Sequence, residues 1–140
     1  MTTKEYLSQI QIMHHRIEEK KREIEELREM ATCIGSLDYS KEPVKNSPSG
    51  DAMVNAVARI VEAREQCAKI IVEYLEQKTV IANEINEMTN ENYRQLLYKR
   101  YVEGKRLEQI AIEMNYNYDV ARRMHGRALQ DFARSHTKSH

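Results

Sequence analysis

The chain has 140 residues, enough for one ordinary domain or for a small domain joined to extended helices. It contains four glycines, two prolines, one phenylalanine and no tryptophan, and 31% of its residues are charged. This composition is typical of long helices and argues against a large globular core. No apolar run is long enough to cross a membrane.

The net charge of zero hides an unequal distribution along the chain. From Arg94 to the last residue there are ten Lys or Arg residues and five Asp or Glu residues, whereas residues 1–93 contain twelve and seventeen. An acidic first part followed by a basic last part is typical of proteins that contact nucleic acid with one end. Solvated helices also reach such a charge by chance, so the asymmetry alone does not decide.

The first predicted element is a long helix from about Thr3 to Cys33, capped by Thr2 or Thr3. Its apolar residues recur at intervals of three and four, with a break at Lys20. This spacing is typical of a helix that pairs with another along a narrow, coiled-coil-like seam. The seam is predicted to contain Ile10, Met13, Ile17, Ile24, Leu27, Ala31 and Ile34.

A loop of about residues 35–50, which is rich in turn-forming residues, separates this helix from a second long one. Ser49 or Asp51 is expected to cap the second helix, and Arg64 and Lys78 interrupt its apolar pattern. The inner seam of this helix is predicted to contain Val54, Val57, Val61, Ala68, Ile71, Leu75, Ala82 and Ile85, widened by Ile60, Val72 and Ile81.

The simplest arrangement folds the second helix back on the first, as an antiparallel hairpin spanning residues 1–88. Because the apolar residues of the second helix extend beyond one narrow seam, we expect it to contact more than one neighbour. Pairing within the chain is favoured over a groove dedicated to a partner, although both can hold together. A homo-oligomer, with a dimer favoured, is expected to form through these N-terminal helices.

Residues 89–134 predict a compact module of three helices, followed by a frayed tail at 135–140. The first helix of the module begins at Thr89 or Asn90 and ends before Gly104. The predicted fold is therefore all-α: a long antiparallel helical hairpin, coiled-coil-like, followed by a C-terminal trihelical helix-turn-helix module.

The last two helices, about residues 106–114 and 118–134, meet the requirements of a helix-turn-helix. Ala111 supplies the small residue where the helices cross, and Asn115 can adopt the left-handed backbone of the tight turn. Asn117 can cap the second helix. The apolar contacts between these helices are predicted to involve Leu107, Ile110, Met114, Ala121, Met124, Ala128 and Leu129.

The segments Tyr101-Val-Glu-Gly-Lys-Arg-Leu-Glu-Gln-Ile-Ala and Val120-Ala-Arg-Arg-Met-His-Gly-Arg-Ala-Leu resemble region 4 of bacterial sigma factors. The whole layout resembles a set of small phage and prophage regulators, with the ArpU and RinA types as neighbours. The specific match covers residues 89–132, whereas residues 1–88 match only as coiled helices. Asn115 departs from the usual turn glycine, and Ala121 stands where a β-branched residue is common.

The resemblance implies a sequence-specific transcription regulator of phage or prophage type, which binds double-stranded DNA in the cytoplasm of a bacterial host. It also implies RNA polymerase as a further partner. Arg pairs well with guanine and Asn with adenine, so the first turns of the last helix are expected to read bases. The expected base contacts are Asn117, Tyr118, Arg122 and Arg123. The expected phosphate contacts are Lys105, Arg106, Gln109 and Arg127.

Two other functions remain open at this point. A DNA-packaging adaptor resembling a small terminase subunit also joins a helix-turn-helix to oligomerising helices. A coiled-coil interaction protein could keep the fold without affinity for DNA, because an arginine-rich helical face is often only solvated. The sequence holds no catalytic set, metal-ligand set or cofactor motif, and Cys33 and Cys67 are isolated. We therefore expect no enzymatic activity, metal or cofactor.

Overall fold

The structure of the protein is a computed structural model that describes residues 1–39 and 48–137, with side chains at residues 1–34 and 50–136. All secondary structure in these residues is helical, as the sequence predicts. A π-helical turn, Tyr98–Val102, directly follows the third helix. The helices are α1 (Thr3–Tyr39), α2 (Pro48–Asn86), α3 (Glu91–Leu97), α4 (Leu107–Glu113) and α5 (Tyr118–Thr137).

The loop predicted at residues 35–50 is too long at both ends, because α1 continues to Tyr39 and α2 already begins at Pro48. Proline fits the first turn of a helix, where its missing N–H would have no intrahelical acceptor. Neither Ser49 nor Asp51 therefore precedes the helix, and both lie within its first turn. The rest of the predicted loop, residues 40–47, lies outside the described residues.

The tail predicted to fray is helical as far as Thr137. His136 explains the extra turn, since its Nε2 lies 3.0 Å from the carboxylate of Glu84 and its Nδ1 lies 2.9 Å from the carbonyl oxygen of Phe132. The contact with Glu84 of α2 depends on tertiary packing, so the sequence of the tail alone could not predict it. Residues 138–140 lie outside the described part of the chain.

A capping box begins α1 and confirms Thr2 as its cap. The hydroxyl of Thr2 accepts a hydrogen bond from the backbone N–H of Glu5 at 3.1 Å. In return, the carboxylate of Glu5 accepts one from the backbone N–H of Thr2 at 3.3 Å. Each side chain thus satisfies a backbone donor that the first turn of a helix leaves without a partner.

The chain divides into two compact units, and each unit contains part of α1 and part of α2. The first unit comprises Met1–Met13 and Tyr74–His140, so it joins the start of α1 and the end of α2 to the C-terminal helices. The second unit comprises His14–Glu73, the middle of the hairpin. Tertiary packing, rather than chain order, therefore sets this division.

The first unit holds the main hydrophobic core. Within it α1 and α2 run antiparallel: the hydroxyl of Tyr6 donates to the carboxylate of Glu84, and the amide of Gln77 donates to the oxygen of Gln9 at 2.9 Å. Residues of both helices are buried against α3, α4 and α5. The buried cluster consists of Leu7, Ile10, Ile81, Ile85, Met88, Leu96, Leu97, Tyr101, Ile110, Ala128 and Phe132.

The second unit is an antiparallel helix pair with a narrow core. Ile17, Ala63 and Cys67 are buried, and the Nζ of Lys20 donates to the Oε1 of Gln66 at 2.8 Å. Lys20, which interrupts the apolar pattern of α1, thus stays at the edge of the seam with a polar partner. The predicted helical hairpin is confirmed.

The seam predicted for α2 is wrong over much of its length. The residues of α2 that are buried in the second unit, Ala63 and Cys67, are offset from this seam, whereas Ile81 and Ile85, which the prediction includes, are buried in the first unit. Of the predicted seam, Val54, Val57, Val61, Ala68 and Leu75 are exposed.

Candidate nucleic-acid interface

The turn between α4 and α5 has the geometry of a helix-turn-helix. Asn115 adopts a φ of 60°, the left-handed conformation that the sequence predicts at this position. The backbone N–H of Tyr116 donates to the carbonyl of Ala111 at 2.8 Å, which satisfies a carbonyl at the end of α4. The chain therefore reverses within four residues and keeps its backbone hydrogen bonds.

Asn117 ends the turn and caps α5. Its side-chain oxygen accepts a hydrogen bond from the backbone N–H of Val120 at 2.9 Å, as predicted. This bond occupies one lone pair of the oxygen that a bidentate contact with adenine would use. Because its side chain caps α5, Asn117 has less hydrogen-bonding capacity left for a base.

Small residues bring α4 and α5 together. Ala111 of α4 and Ala121 of α5 are both buried, as expected for small residues between two packed helices. Ala128 and Phe132 continue the inner face of α5 into the core. Sequence reasoning missed Phe132, although it follows Ala128 by four residues, the spacing of one helical face.

The opposite side of α5 is exposed and basic. All four residues predicted to contact bases, Asn117, Tyr118, Arg122 and Arg123, are exposed at the N-terminal half of this helix. The Nε of Arg123 lies 3.4 Å from the carbonyl oxygen of Asp119, at the long limit of a hydrogen bond. The guanidinium groups are thus not held in strong intramolecular bonds at this end of α5.

The residues predicted to contact phosphates differ in whether they form ion pairs within the chain. Arg106, Gln109 and Arg127 are exposed. Lys105, in contrast, forms ion pairs with Glu113 at 2.8 Å and with Glu103 at 3.0 Å. Lys99 also pairs with Glu113, at 2.9 Å.

These ion pairs hold Glu113 in its charged form. Hydrogen bonds from Lys105 and then from Lys99 lower the pKa of Glu113. Together with Glu103, which also pairs with Lys105, the two lysines and two carboxylates leave no net charge at this place. A phosphate would have to compete with Glu113 for Lys105, so this lysine is a weaker candidate contact than Arg106.

Arg123 and Arg127 line a cleft of about 340 Å³ between α5 and the start of α3. Asn90 and Asn92 face them across the cleft. Asn90 is already used as the cap of α3, since its side chain accepts from the N–H of Tyr93 at 3.1 Å. Asn92 is thus a polar neighbour of the arginines that the sequence did not indicate, because only the packing of α3 on α5 brings it there.

His125 lies on the inner side of α5 and supports it. It shares a 2.7 Å hydrogen bond with the hydroxyl of Tyr101 and stacks on the Tyr101 ring, with centroids 5.7 Å apart. Burial lowers the pKa of His125 to about 4, and the positive charges of Arg100 and Lys4 contribute. At neutral pH this histidine is therefore an uncharged packing residue beneath the exposed face.

The π-helical turn positions Tyr101 for this contact. A π-helical turn rotates the following side chains relative to an α-helix, and here Tyr101 is buried while Arg100 lies beside it. The amide of Gln11 donates to the carbonyl of Arg100 at 2.7 Å, and Arg100 donates to the carbonyl of Lys105 at 3.0 Å. The side chains of Gln11 and Arg100 thus hold the segment before α4 by hydrogen bonds to its backbone.

Over residues 1–39 and 48–137, no group of His, Cys, Asp and Glu side chains is arranged to hold a metal ion. In the same part of the chain, none of the helices combines the length and the apolar character needed to cross a membrane.

No protein-family model, curated protein or solved structure matches the chain significantly.

Proposed function

We propose that the protein is a sequence-specific DNA-binding transcription regulator of phage or prophage type, which acts in the cytoplasm of a bacterial host and is not an enzyme. The observation that carries the proposal is the exposed basic face of α5, with Arg122 and Arg123 beside a capped helix start. A helix presented in this way, behind a tight turn and a supporting helix, is suited to the major groove of duplex DNA.

Recognition divides between two sets of contacts. Arg122 and Arg123 reach base edges, where each bidentate pair with guanine discriminates against other bases by about 1–3 kcal/mol. Arg106, Gln109 and Arg127 contact phosphates, which fix the orientation of α5 without reading the sequence. Because Ala121 and Ala128 anchor the helix from behind, its exposed side chains start from a fixed backbone.

Two further partners belong to the proposal. A homo-oligomer formed through the N-terminal helices would carry more than one helix-turn-helix and could read two half-sites. The resemblance to sigma region 4 adds RNA polymerase as a second macromolecular partner.

Binding of the full-length chain to duplex DNA of random sequence, measured by fluorescence anisotropy, tests the proposal. Arginine and lysine contacts release counterions from DNA, so affinity should fall as salt rises from about 50 to 200 mM, with a log–log slope steeper than about −2. Arg122→Ala with Arg123→Ala should weaken binding at low salt.

A matched control removes the same charge elsewhere. Arg16→Ala with Arg22→Ala deletes two exposed arginines of α1 and should leave DNA affinity nearly unchanged. Equal losses in the two double variants would contradict the proposal, because they would show that only total charge matters. Absence of binding at low salt would contradict it as well and would favour an interaction protein without affinity for DNA.

A further inference from the structure

Two apolar stripes lie on α2, and only one of them is buried among the residues that the structure describes. The internal stripe contains Ala63 and Cys67, which are buried in the second unit. The other, which we call the valine stripe, has Val residues exposed by 48–68%. The valine stripe consists of Val54, Val57, Val61, Ala68 and Val72.

Helix geometry separates the two stripes clearly. At about 100° per residue, the five members of the valine stripe lie within about 30° of one line along α2. The mean direction of Ala63 and Cys67 is about 130° away from that line. Packing against α1 along the internal stripe therefore leaves the valine stripe uncovered by the described residues of the second unit. Exposed apolar side chains aligned in this way are typical of an interaction surface rather than of a solvated helix.

We propose that the valine stripe is the contact surface of a parallel homodimer, in which α2 of one chain packs lengthwise against α2 of a second copy. The inference rests on the proposed function in one respect, since a dimer supplies the two DNA-binding modules that two half-sites require.

The charges beside the valine stripe argue for a second copy and for its direction. Arg64 and Glu65 fall in the middle of the stripe, about 50° to either side of its central line. In a parallel pair, Arg64 lies next to the partner's Glu65 at one edge, and Glu65 lies next to the partner's Arg64 at the other. In an antiparallel pair that overlaps along the whole valine stripe, each charge would meet its own copy and repel it. These charges therefore favour the parallel orientation.

Sedimentation equilibrium of the full-length chain without DNA tests the proposal. The expected mass is twice the 16.5 kDa of one chain. Val61→Glu should weaken the dimer by roughly a hundredfold or more, because two carboxylates would enter the apolar contact. Its helicity, followed by circular dichroism, should be unchanged, since Val61 is already 48% exposed in a single chain.

Val80→Glu is the matched control. Val80 lies on the same helix and is 49% exposed, but it points about 110° away from the line of the valine stripe. This variant should remain dimeric. Equal dissociation of the two variants would overturn the proposal, as would a monomeric wild-type chain at about 100 µM. A ring-sized assembly would overturn it too and would favour the packaging function.

Charge reversal tests the orientation. Arg64→Glu should weaken the dimer on the order of tenfold, and adding Glu65→Arg should restore it. If Arg64→Glu has no effect while Val61→Glu dissociates the dimer, the chains pair in the other direction and the parallel arrangement is wrong. Because no DNA is present, failure here leaves the DNA-binding proposal untouched, and loss of DNA binding in the α5 variants leaves the dimer untouched.

Discussion

His125 links the stability of the fold around α5 to pH. The pKa of His125 is lowered from 6.5 to about 4, chiefly by burial against Tyr101. Between these two values the unfolded chain binds a proton that the folded chain does not. The stabilisation is therefore complete above about pH 6.5 and is lost as the pH falls towards 4.

We expect the free energy of unfolding to decrease by roughly 2 kcal/mol over this pH range because of His125 alone, a value reduced for its partial exposure. His125→Gln keeps a hydrogen-bonding side chain beside Tyr101 but does not titrate. Urea unfolding of both proteins from pH 7.5 to 4 isolates the effect. The difference between their unfolding free energies should change with pH, and a constant difference would contradict the assignment.

The left-handed backbone conformation of Asn115 limits which residues the turn between α4 and α5 can accept. Its φ of 60° costs an ordinary L-residue about 1–2 kcal/mol, less for Asn and nothing for Gly. Asn115→Ala should therefore lower the free energy of unfolding by about 1 kcal/mol, whereas Asn115→Gly should change it by less than about 0.5 kcal/mol. Urea denaturation measures both. Asn115 is exposed, so an equal loss in both variants would point to a side-chain contact instead of backbone strain.

Elements governed by local chemistry could be predicted from the sequence. The caps at Thr2, Asn90 and Asn117 and the left-handed turn at Asn115 each depend on residues within three or four positions. The internal side of α2 could not be predicted in the same way. Apolar residues recur at intervals of three and four on both sides of α2, and only the burial of Ala63 and Cys67 in the second unit distinguishes the internal side.

The candidate site shows the same limit. Exposure of Arg122 and Arg123 follows from the helical period of α5 and was predictable. The competition of Glu113 for Lys105 and the position of Asn92 beside Arg127 depend on tertiary packing. Sequence spacing alone therefore predicts which face of α5 is exposed, but not the side chains from other helices that lie near it.

At the scale of the whole molecule, charge and apolar surface are divided between functions. The basic residues concentrate after Arg94, and the acidic excess lies in the first 93 residues. With the proposed DNA-binding function, the acidic hairpin would be held away from the duplex, which would leave the valine stripe available for a second chain. A dimer of this kind would bind two half-sites more tightly than one chain binds either, because the second contact becomes intramolecular.

Selection of bound duplexes from a random-sequence DNA pool, with the full-length protein, shows whether α5 reads DNA sequence. We predict enrichment of a defined sequence, arranged as two half-sites if the chain is dimeric. Arg122→Ala with Arg123→Ala should abolish the enrichment while helicity is unchanged, because the two arginines supply base discrimination. A pool that stays random with the wild-type protein, or a preference that persists in the double variant, would contradict the assignment of α5 as the helix that reads DNA.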